Sequence, residues 1–198
     1  MKSFMLMEKQ IISLIEESMN TKKSLPINLI EDACNILIEC YKNGRKVLIC
    51  GNGGSAADSQ HMAAELMNKF KLNRDPLPCV ALTTDSSILT SIGNDFGYEY
   101  IFEKQVKAIG QEGDVLIAIS TSGNSENVIK AIDAAKEKRM FVIGLMGDKG
   151  GKMKGKCNLE IIVHSANTPR VQESHILIIH IICEIIEKWS VNKESINN

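Results

Sequence analysis

Two residues one helical turn apart are the first in this sequence whose types and spacing could do chemistry. His61 and Glu65 stand at positions i and i+4 of a stretch with a helical pattern, so both project from one face. An imidazole and a carboxylate placed in this way can bind a metal ion or act as an acid and a base. The same spacing also fits an ordinary solvent-facing ion pair, so the pair alone leaves both interpretations open.

A second stretch carries an unusual number of hydroxyl groups. Residues 120–125 read Ser-Thr-Ser-Gly-Asn-Ser and run directly into a helical pattern at 126–138. Hydroxyls and backbone N–H groups at the start of a helix, where the helix dipole is positive, suit a phosphate monoester. An ordinary N-cap by Ser122 or Ser125 would need one hydroxyl, and this loop has four. The loop therefore predicts a phosphorylated small molecule as ligand.

A glycine-rich turn, Gly-Asn-Gly-Gly at 51–54, precedes the helix that carries His61. Glycines let a ligand approach the backbone closely, and the helix start offers unpaired N–H groups. The turn lacks the G-x-G-x-x-G spacing of a dinucleotide site and the lysine of a P-loop, so it is also compatible with a plain tight turn. Polar loops at 83–87 and 93–97 could hold sugar hydroxyls or could serve as helix caps and turns.

The last helical pattern contains Gln172 and His180. Eight residues correspond to about 80° around a helix, so the two side chains can converge on one site but need not do so. His180 interrupts an apolar run, and the alternative is a core histidine bonded to Glu184.

The apolar pattern of the sequence predicts the strands and helices that position these residues. Strands are predicted at 46–50, 79–84, 115–120, 141–145 and 159–163. Helices are predicted at 4–20, 26–43, 56–69, 86–94, 98–109, 126–138 and 168–189. Continuously apolar strands are typical of a parallel sheet buried on both faces, which predicts a doubly wound α/β fold whose ligand site lies beyond the carboxyl ends of the strands. We expect one domain: N-terminal helices (1–45), the core with a long C-terminal helix (46–189), and a frayed polar tail (190–198).

Composition excludes several classes of function. The 198 residues carry a formal net charge of −1, from 23 Lys+Arg and 24 Asp+Glu, and 44% of them are hydrophobic. Near-neutral charge argues against a nucleic-acid binder, and the apolar content argues against disorder. No export signal and no membrane span are evident, and the six cysteines form no C-x-x-C, so we expect a cytoplasmic protein with reduced thiols.

Together these motifs resemble the sugar isomerase (SIS) domain and, within it, the phosphoheptose isomerases. The similarity runs from the N-terminal helices to about Trp189 and is carried by Gly51 to Asp58 with His61 and Glu65, Thr83 to Asp85, Gly93 to Phe96, Ser120 to Ser125, and Thr168 to Glu173 with His180.

The resemblance implies a flavodoxin-like five-stranded parallel sheet and a homotetramer with active sites between subunits. It implies one zinc ion per subunit, held by His61, Glu65, Gln172 and His180. It places the phosphate on Ser120, Thr121, Ser122 and Ser125, and the sugar on Asn52, Gly53, Gly54, Glu65, Asn94, Asp95 and Gln172. Glu65 would act as the base at carbon and His180 as its acid/base partner. Lys69 departs from some relatives, which carry Arg there, so its contact with substrate is in doubt.

The implied activity is isomerisation of D-sedoheptulose 7-phosphate to D-glycero-D-manno-heptose 7-phosphate through an enediol, the first step toward nucleotide-activated heptose for lipopolysaccharide core or capsule. One alternative is a non-catalytic SIS adaptor that binds a replication initiator protein. Another is an isomerase or sensor of a different sugar phosphate.

Overall fold

The sheet forms from five short strands, of which the three central ones are almost entirely buried. In the computed structural model, which describes the backbone of residues 2–197 and the side chains of residues 6–192, the strands are β1 (Val47–Cys50), β2 (Cys79–Ala81), β3 (Val115–Ser120), β4 (Phe141–Gly147) and β5 (Leu159–Val163). They lie in the order β2-β1-β3-β4-β5, and every neighbouring pair is parallel. This is the predicted flavodoxin-like sheet.

Helices precede the sheet and connect its strands. They are α1 (Lys2–Lys23), α2 (Ile27–Lys42), α3 (Gly54–Met67), α4 (Ser86–Asp95), α5 (Glu103–Ile109), α6 (Glu126–Glu137) and α7 (Thr168–Asn197), with 3₁₀ turns at Tyr98–Tyr100 and Gly151–Met153. None of the helices in the described part of the chain is long and apolar enough to cross a membrane.

Alternate residues of each strand pack into two separate hydrophobic cores, one on each face of the sheet. Val47 and Ile49 of β1 pack with α2, α3 and α7 on one face of the sheet. Leu48 and Cys50 pack with α5 and α6 on the other face. Since successive side chains of a strand point to opposite faces, this three-layer arrangement explains the continuously apolar strand sequences.

Several predicted elements differ in extent from the structure: β2, predicted over 79–84, ends at Ala81, and β4, predicted over 141–145, continues to Gly147. The helix predicted over 98–109 is divided into α5 and a 3₁₀ turn at Tyr98–Tyr100, which follows Gly97 with its φ of 108°. The last helix, predicted to end near Trp189, continues to Asn197. No glycine or proline follows Trp189 to end the helix.

Candidate active site

The connections after β1 and β3 leave neighbouring strands toward opposite faces of the sheet. The connection after β1 leads to α3 on one face, and that after β3 leads to α6 on the other. Such a switch point opens a crevice for ligands in parallel α/β sheets. Here Asn52 and Asn127 join the two sides by reciprocal amide hydrogen bonds of 2.9 and 2.8 Å. Tyr98 adds a hydroxyl that donates to Asn52 Oδ1 at 3.2 Å.

The hydroxyl-rich loop leaves the start of α6 without a side-chain cap. Ser125 occupies the N-cap position but makes no capping hydrogen bond, and its Oγ lies 2.9 Å from Oγ of the buried Ser120. The Ser122 hydroxyl instead accepts a hydrogen bond from the backbone N–H of Asn124 at 3.2 Å. Ordinary N-capping therefore does not explain these hydroxyls. The helix start of α6 remains available for an anion.

A neighbouring loop supports the hydroxyl-rich loop through its backbone. Gly123 has a φ of 65°, and a Cβ there would overlap the carbonyl of Gly150. Met153 N–H donates to the Gly123 carbonyl at 2.9 Å, and Gly147 N–H donates to the Thr121 carbonyl at 3.1 Å. The shape of the loop is thus fixed by contacts that only glycine at position 123 permits.

His61, Glu65 and His180 meet between α3 and α7. His61 Nε2 lies 3.0 Å from Glu65 Oε1 and 3.4 Å from His180 Nε2. The His180 ring also packs against Phe70, with centroids 5.7 Å apart. Glu184, the alternative partner for His180, bonds instead to Lys71 and Lys188. The interpretation of His180 as a core histidine is wrong, because its side chain is only partly buried and faces His61.

Gln172 approaches the same region from the start of α7. A Cβ at Gly54 would lie 2.9 Å from the Gln172 Cδ atom, so glycine at 54 lets the amide pack against the beginning of α3. Gln172 and His61 line a cavity of about 340 Å³ together with Asp58. A larger groove of about 820 Å³ lies at the amino ends of β3 and β4 and contains none of the predicted site residues.

Asp58 is a feature of this cavity that motif reasoning passed over. Its Oδ2 atom is buried without a hydrogen-bond partner, and burial raises the pKa of the carboxyl to about 6, against a smaller lowering by His61. The spacing of Asp58, His61 and Glu65 (i, i+3, i+7) places all three on one helical face, which is the signal that could have found it.

The side chains of His61, His180 and Glu65 are of types that bind zinc. Two imidazoles and a carboxylate are ordinary zinc ligands. The two facing Nε2 atoms cannot both carry a proton across a 3.4 Å contact, and an unprotonated nitrogen is the form that a metal requires. Within residues 6–192, however, no group of three or more His, Cys, Asp or Glu side chains is arranged so that it could hold a metal ion. The side chains would have to rearrange to bind a metal ion together.

Other candidate residues stand apart from these contacts. Asn94 donates to Asp95 Oδ1 at 2.8 Å in the exposed last turn of α4, and among the described residues neither hydrogen-bonds to the glycine-rich or hydroxyl-rich loop. Asp85 caps α4 by accepting from Ile88 N–H, so the loop at 83–87 serves the capping role. Lys69 donates to Asn73.

Comparison with known proteins agrees with this fold. The family model described as the SIS domain matches residues 9–147, so the chain is a SIS-domain protein. A phosphoheptose isomerase of Clostridium acetobutylicum is 55% identical over 189 residues, which are 95% of each chain, and one of Aneurinibacillus thermoaerophilus is 51% identical over 92% of this chain and 94% of its own length. The solved structure of a phosphoheptose isomerase from Francisella tularensis superimposes with a TM-score of 0.87 at 40% identity, covering 95% of this chain and 100% of that one. The chain belongs to the phosphoheptose isomerase family.

Proposed function

We propose that this chain isomerises D-sedoheptulose 7-phosphate to D-glycero-D-manno-heptose 7-phosphate. The observation that carries the proposal is the meeting of His61, Glu65 and His180 between α3 and α7. Family membership favours this function over an adaptor or a sensor, because the relatives at 55% and 51% identity are phosphoheptose isomerases.

The phosphate is assigned to the hydroxyl-rich loop at the start of α6. Ser120, Thr121, Ser122 and Ser125 would bind its oxygens, and the uncapped helix start would contribute positive potential. This arrangement would bind a phosphate without a basic patch in a chain of net charge −1.

The sugar would lie across the crevice. Asn52, Gly53 and Gly54 would contact it from the turn after β1, and Gln172 from the start of α7. The reciprocal bonds between Asn52 and Asn127 hold the two sides of the crevice together. Asn94 and Asp95 belong to the proposed sugar contacts by family resemblance.

The reaction requires a proton to leave C1, a proton to reach C2, and a proton to pass between the two oxygens. Glu65 would remove and return the carbon-bound proton, and His180 would serve the oxygens. The 3.4 Å contact between His180 and His61 supports a position of His180 beside Glu65, since His61 contacts both residues.

The proposal includes one zinc ion per subunit, held by His61, Glu65, Gln172 and His180. When bound, zinc would polarise the substrate carbonyl and stabilise the enediolate. Glu65 and His180 cannot be fully engaged ligands and free proton carriers at the same moment. Their metal bonds must therefore be labile, or the metal must be partly structural.

The proposal also includes a homotetramer with sites at subunit interfaces. Its support is the outer side of α1, which exposes a series of large apolar side chains. They are Leu6, Met7, Ile11, Ile12, Leu14, Ile15 and Met19. An apolar surface of this kind marks a protein contact, and a second copy of the chain is the partner that the family suggests.

A cytoplasmic location completes the proposal. Its support is that all six cysteines are free, as expected in a reducing compartment.

The direct test is to incubate the zinc-loaded protein with sedoheptulose 7-phosphate and, separately, with five- and six-carbon ketose phosphates, and to identify the products. We expect the seven-carbon aldose phosphate as the preferred product. Conversion of only the shorter sugars would contradict the substrate assignment, and no conversion of any of them would contradict the isomerase.

A further inference from the structure

Arg74 and Glu187 form a buried charged pair behind the candidate site. Arg74 Nε lies 3.8 Å from Glu187 Oε1, and the two side chains are 0% and 1% exposed. Removing both charges from water is costly, and a buried pair is by itself weak evidence for stability. The other contacts of the two groups therefore indicate what the pair does.

Arg74 Nε has no hydrogen-bond partner at this distance, and the hydrogen bonds of both groups go to the backbone around and after the end of α3. Arg74 Nη2 donates to the Glu65 carbonyl and Nη1 to the Leu66 carbonyl, each at 2.8 Å. Glu187 accepts from the backbone N–H groups of Phe70 and Lys71 at 2.7 and 2.8 Å. The pair thereby ties the last turn of α3 and the segment after it to α7.

These backbone contacts lead to both proposed proton carriers. Glu65 is held through its own carbonyl, directly by Arg74. His180 is reached through Phe70, whose backbone N–H is fixed by Glu187 and whose ring packs against the imidazole. His180 and Glu187 are also seven residues apart on α7, about two turns, and thus on the same side of that helix.

We propose that the Arg74–Glu187 pair positions Glu65 and His180 relative to one another. Arg74, Glu187 and Phe70 are positioning residues, and none of them is assigned a contact with substrate. The inference rests on the proposed isomerase function, because it assigns these residues a role in that reaction. Small displacements of reacting groups cost large factors in rate, so loss of the pair should lower turnover more than substrate affinity.

The fold contains a matched control directly before β3. Asp114 is 1% exposed, pairs with Lys46 Nζ at 2.6 Å, and accepts from the backbone N–H groups of Lys46 and Gln111 at 3.1 and 2.9 Å. It thus combines burial, one cation and two backbone donors, as Glu187 does. Its side-chain hydrogen bonds go to Lys46 and Gln111, and none of them involves Glu65, Phe70 or His180.

The test compares Glu187→Gln, Phe70→Leu and the control Asp114→Asn with the unchanged protein, measuring kcat, KM and the denaturation midpoint of each. We expect Glu187→Gln and Asp114→Asn to lower the midpoint. Only Glu187→Gln and Phe70→Leu should lower kcat, by about 10- to 100-fold, with KM changed less than about threefold. A kcat of Glu187→Gln no lower than that of Asp114→Asn would overturn the proposal.

Phe70→Leu decides the question if Glu187→Gln does not fold, and its unchanged kcat would then overturn the proposal. A second readout separates this inference from the isomerase assignment. The imidazole NMR signals of His61 and His180 should shift in Glu187→Gln or Phe70→Leu and stay in place in Asp114→Asn. If the unchanged protein shows no isomerase activity, that assignment fails. Imidazole signals unmoved by either site variant would overturn the positioning role itself.

Discussion

The Nε2 atoms of His61 on α3 and His180 on α7 lie 3.4 Å apart, although 119 positions separate the residues in the sequence. Two imidazoles facing each other through these atoms can share a single proton or a metal ion. Because Glu65 contacts the same nitrogen of His61, the relationship joins both proposed proton carriers to one candidate metal ligand.

Metal content tests the ligand assignment independently of activity. We expect the unchanged protein to retain about one zinc per chain after dialysis, and His61→Gln to bind zinc at least about tenfold more weakly because a donor nitrogen is lost. Elemental analysis across a series of chelator concentrations measures this. The exposed His164 supplies the control, His164→Gln, which should bind zinc as the unchanged protein does. Equal zinc retention by both variants would refute the assignment of His61.

Loss of a hydroxyl from the hydroxyl-rich loop should raise the KM for the phosphorylated substrate. Ser125→Ala removes a hydroxyl that lies 2.9 Å from Ser120 Oγ at the uncapped start of α6. We expect KM for sedoheptulose 7-phosphate to rise by about three- to tenfold, with kcat changed less, because one hydrogen bond to a charged group is lost. Steady-state kinetics measures both constants. Ser24→Ala, on an exposed serine after α1, is the control, and a KM change no larger than in that variant would count against the phosphate site.

His175 gives the fold an acid-sensitive component. The residue is 0% exposed, and burial lowers the pKa of its imidazole to about 4, opposed by the hydrogen bond with the Met146 carbonyl. The folded state therefore holds His175 neutral, whereas the unfolded chain binds a proton as the pH falls below about 6.5. The stability from this group is complete at neutral pH and is lost between about pH 6.5 and 4.

Chemical denaturation at pH 7 and pH 5 measures this contribution. The unchanged protein should lose about 2 kcal/mol of unfolding free energy from His175 over that interval, and His175→Gln should be less pH-sensitive by about that amount. His164→Gln should retain the pH dependence of the unchanged protein. If His175→Gln lost as much unfolding free energy between pH 7 and pH 5 as the unchanged protein does, the buried imidazole would not contribute.

The exposed side of α1 predicts how the chain assembles. Ile11 and Ile15 stand one turn apart and are 51% and 54% exposed. The double change Ile11→Glu and Ile15→Glu should dissociate the proposed tetramer, because it places charges in a contact that should be apolar. Light scattering after gel filtration reports the mass. Ile27→Glu, at a residue 78% exposed outside α1, should leave the assembly intact, and a tetramer in both variants would contradict the proposed interface.

Most of the fold could be predicted from the sequence, because continuous apolar runs are typical of strands buried on both faces. The predicted limits of β3 and β5 coincide with the observed strands, and the sheet is parallel throughout. The last helix was predicted too short, because the polar residues after Trp189 suggested fraying although they contain no helix breaker. Polarity alone is therefore a weak signal for the end of a helix.

Less of the site could be predicted. The spacing of His61 and Glu65 defines a contact within one helix, so their proximity follows from sequence. The contacts of His180 with His61, and of Asn127 with Asn52, depend on how separate elements pack. No local pattern marks Arg74 and Glu187 as a pair, because their contact is set by the docking of α7 beside the end of α3.

Turnover of sedoheptulose 7-phosphate by Glu65→Gln tests the central claim most directly. The change keeps the size of the side chain and removes its ability to accept a proton, so kcat should fall by at least about a thousandfold. The unfolding midpoint should stay close to that of the control Glu137→Gln, which alters an exposed carboxylate on α6. Such a loss in a folded protein is the result that the account predicts. Turnover near that of the unchanged protein would contradict it.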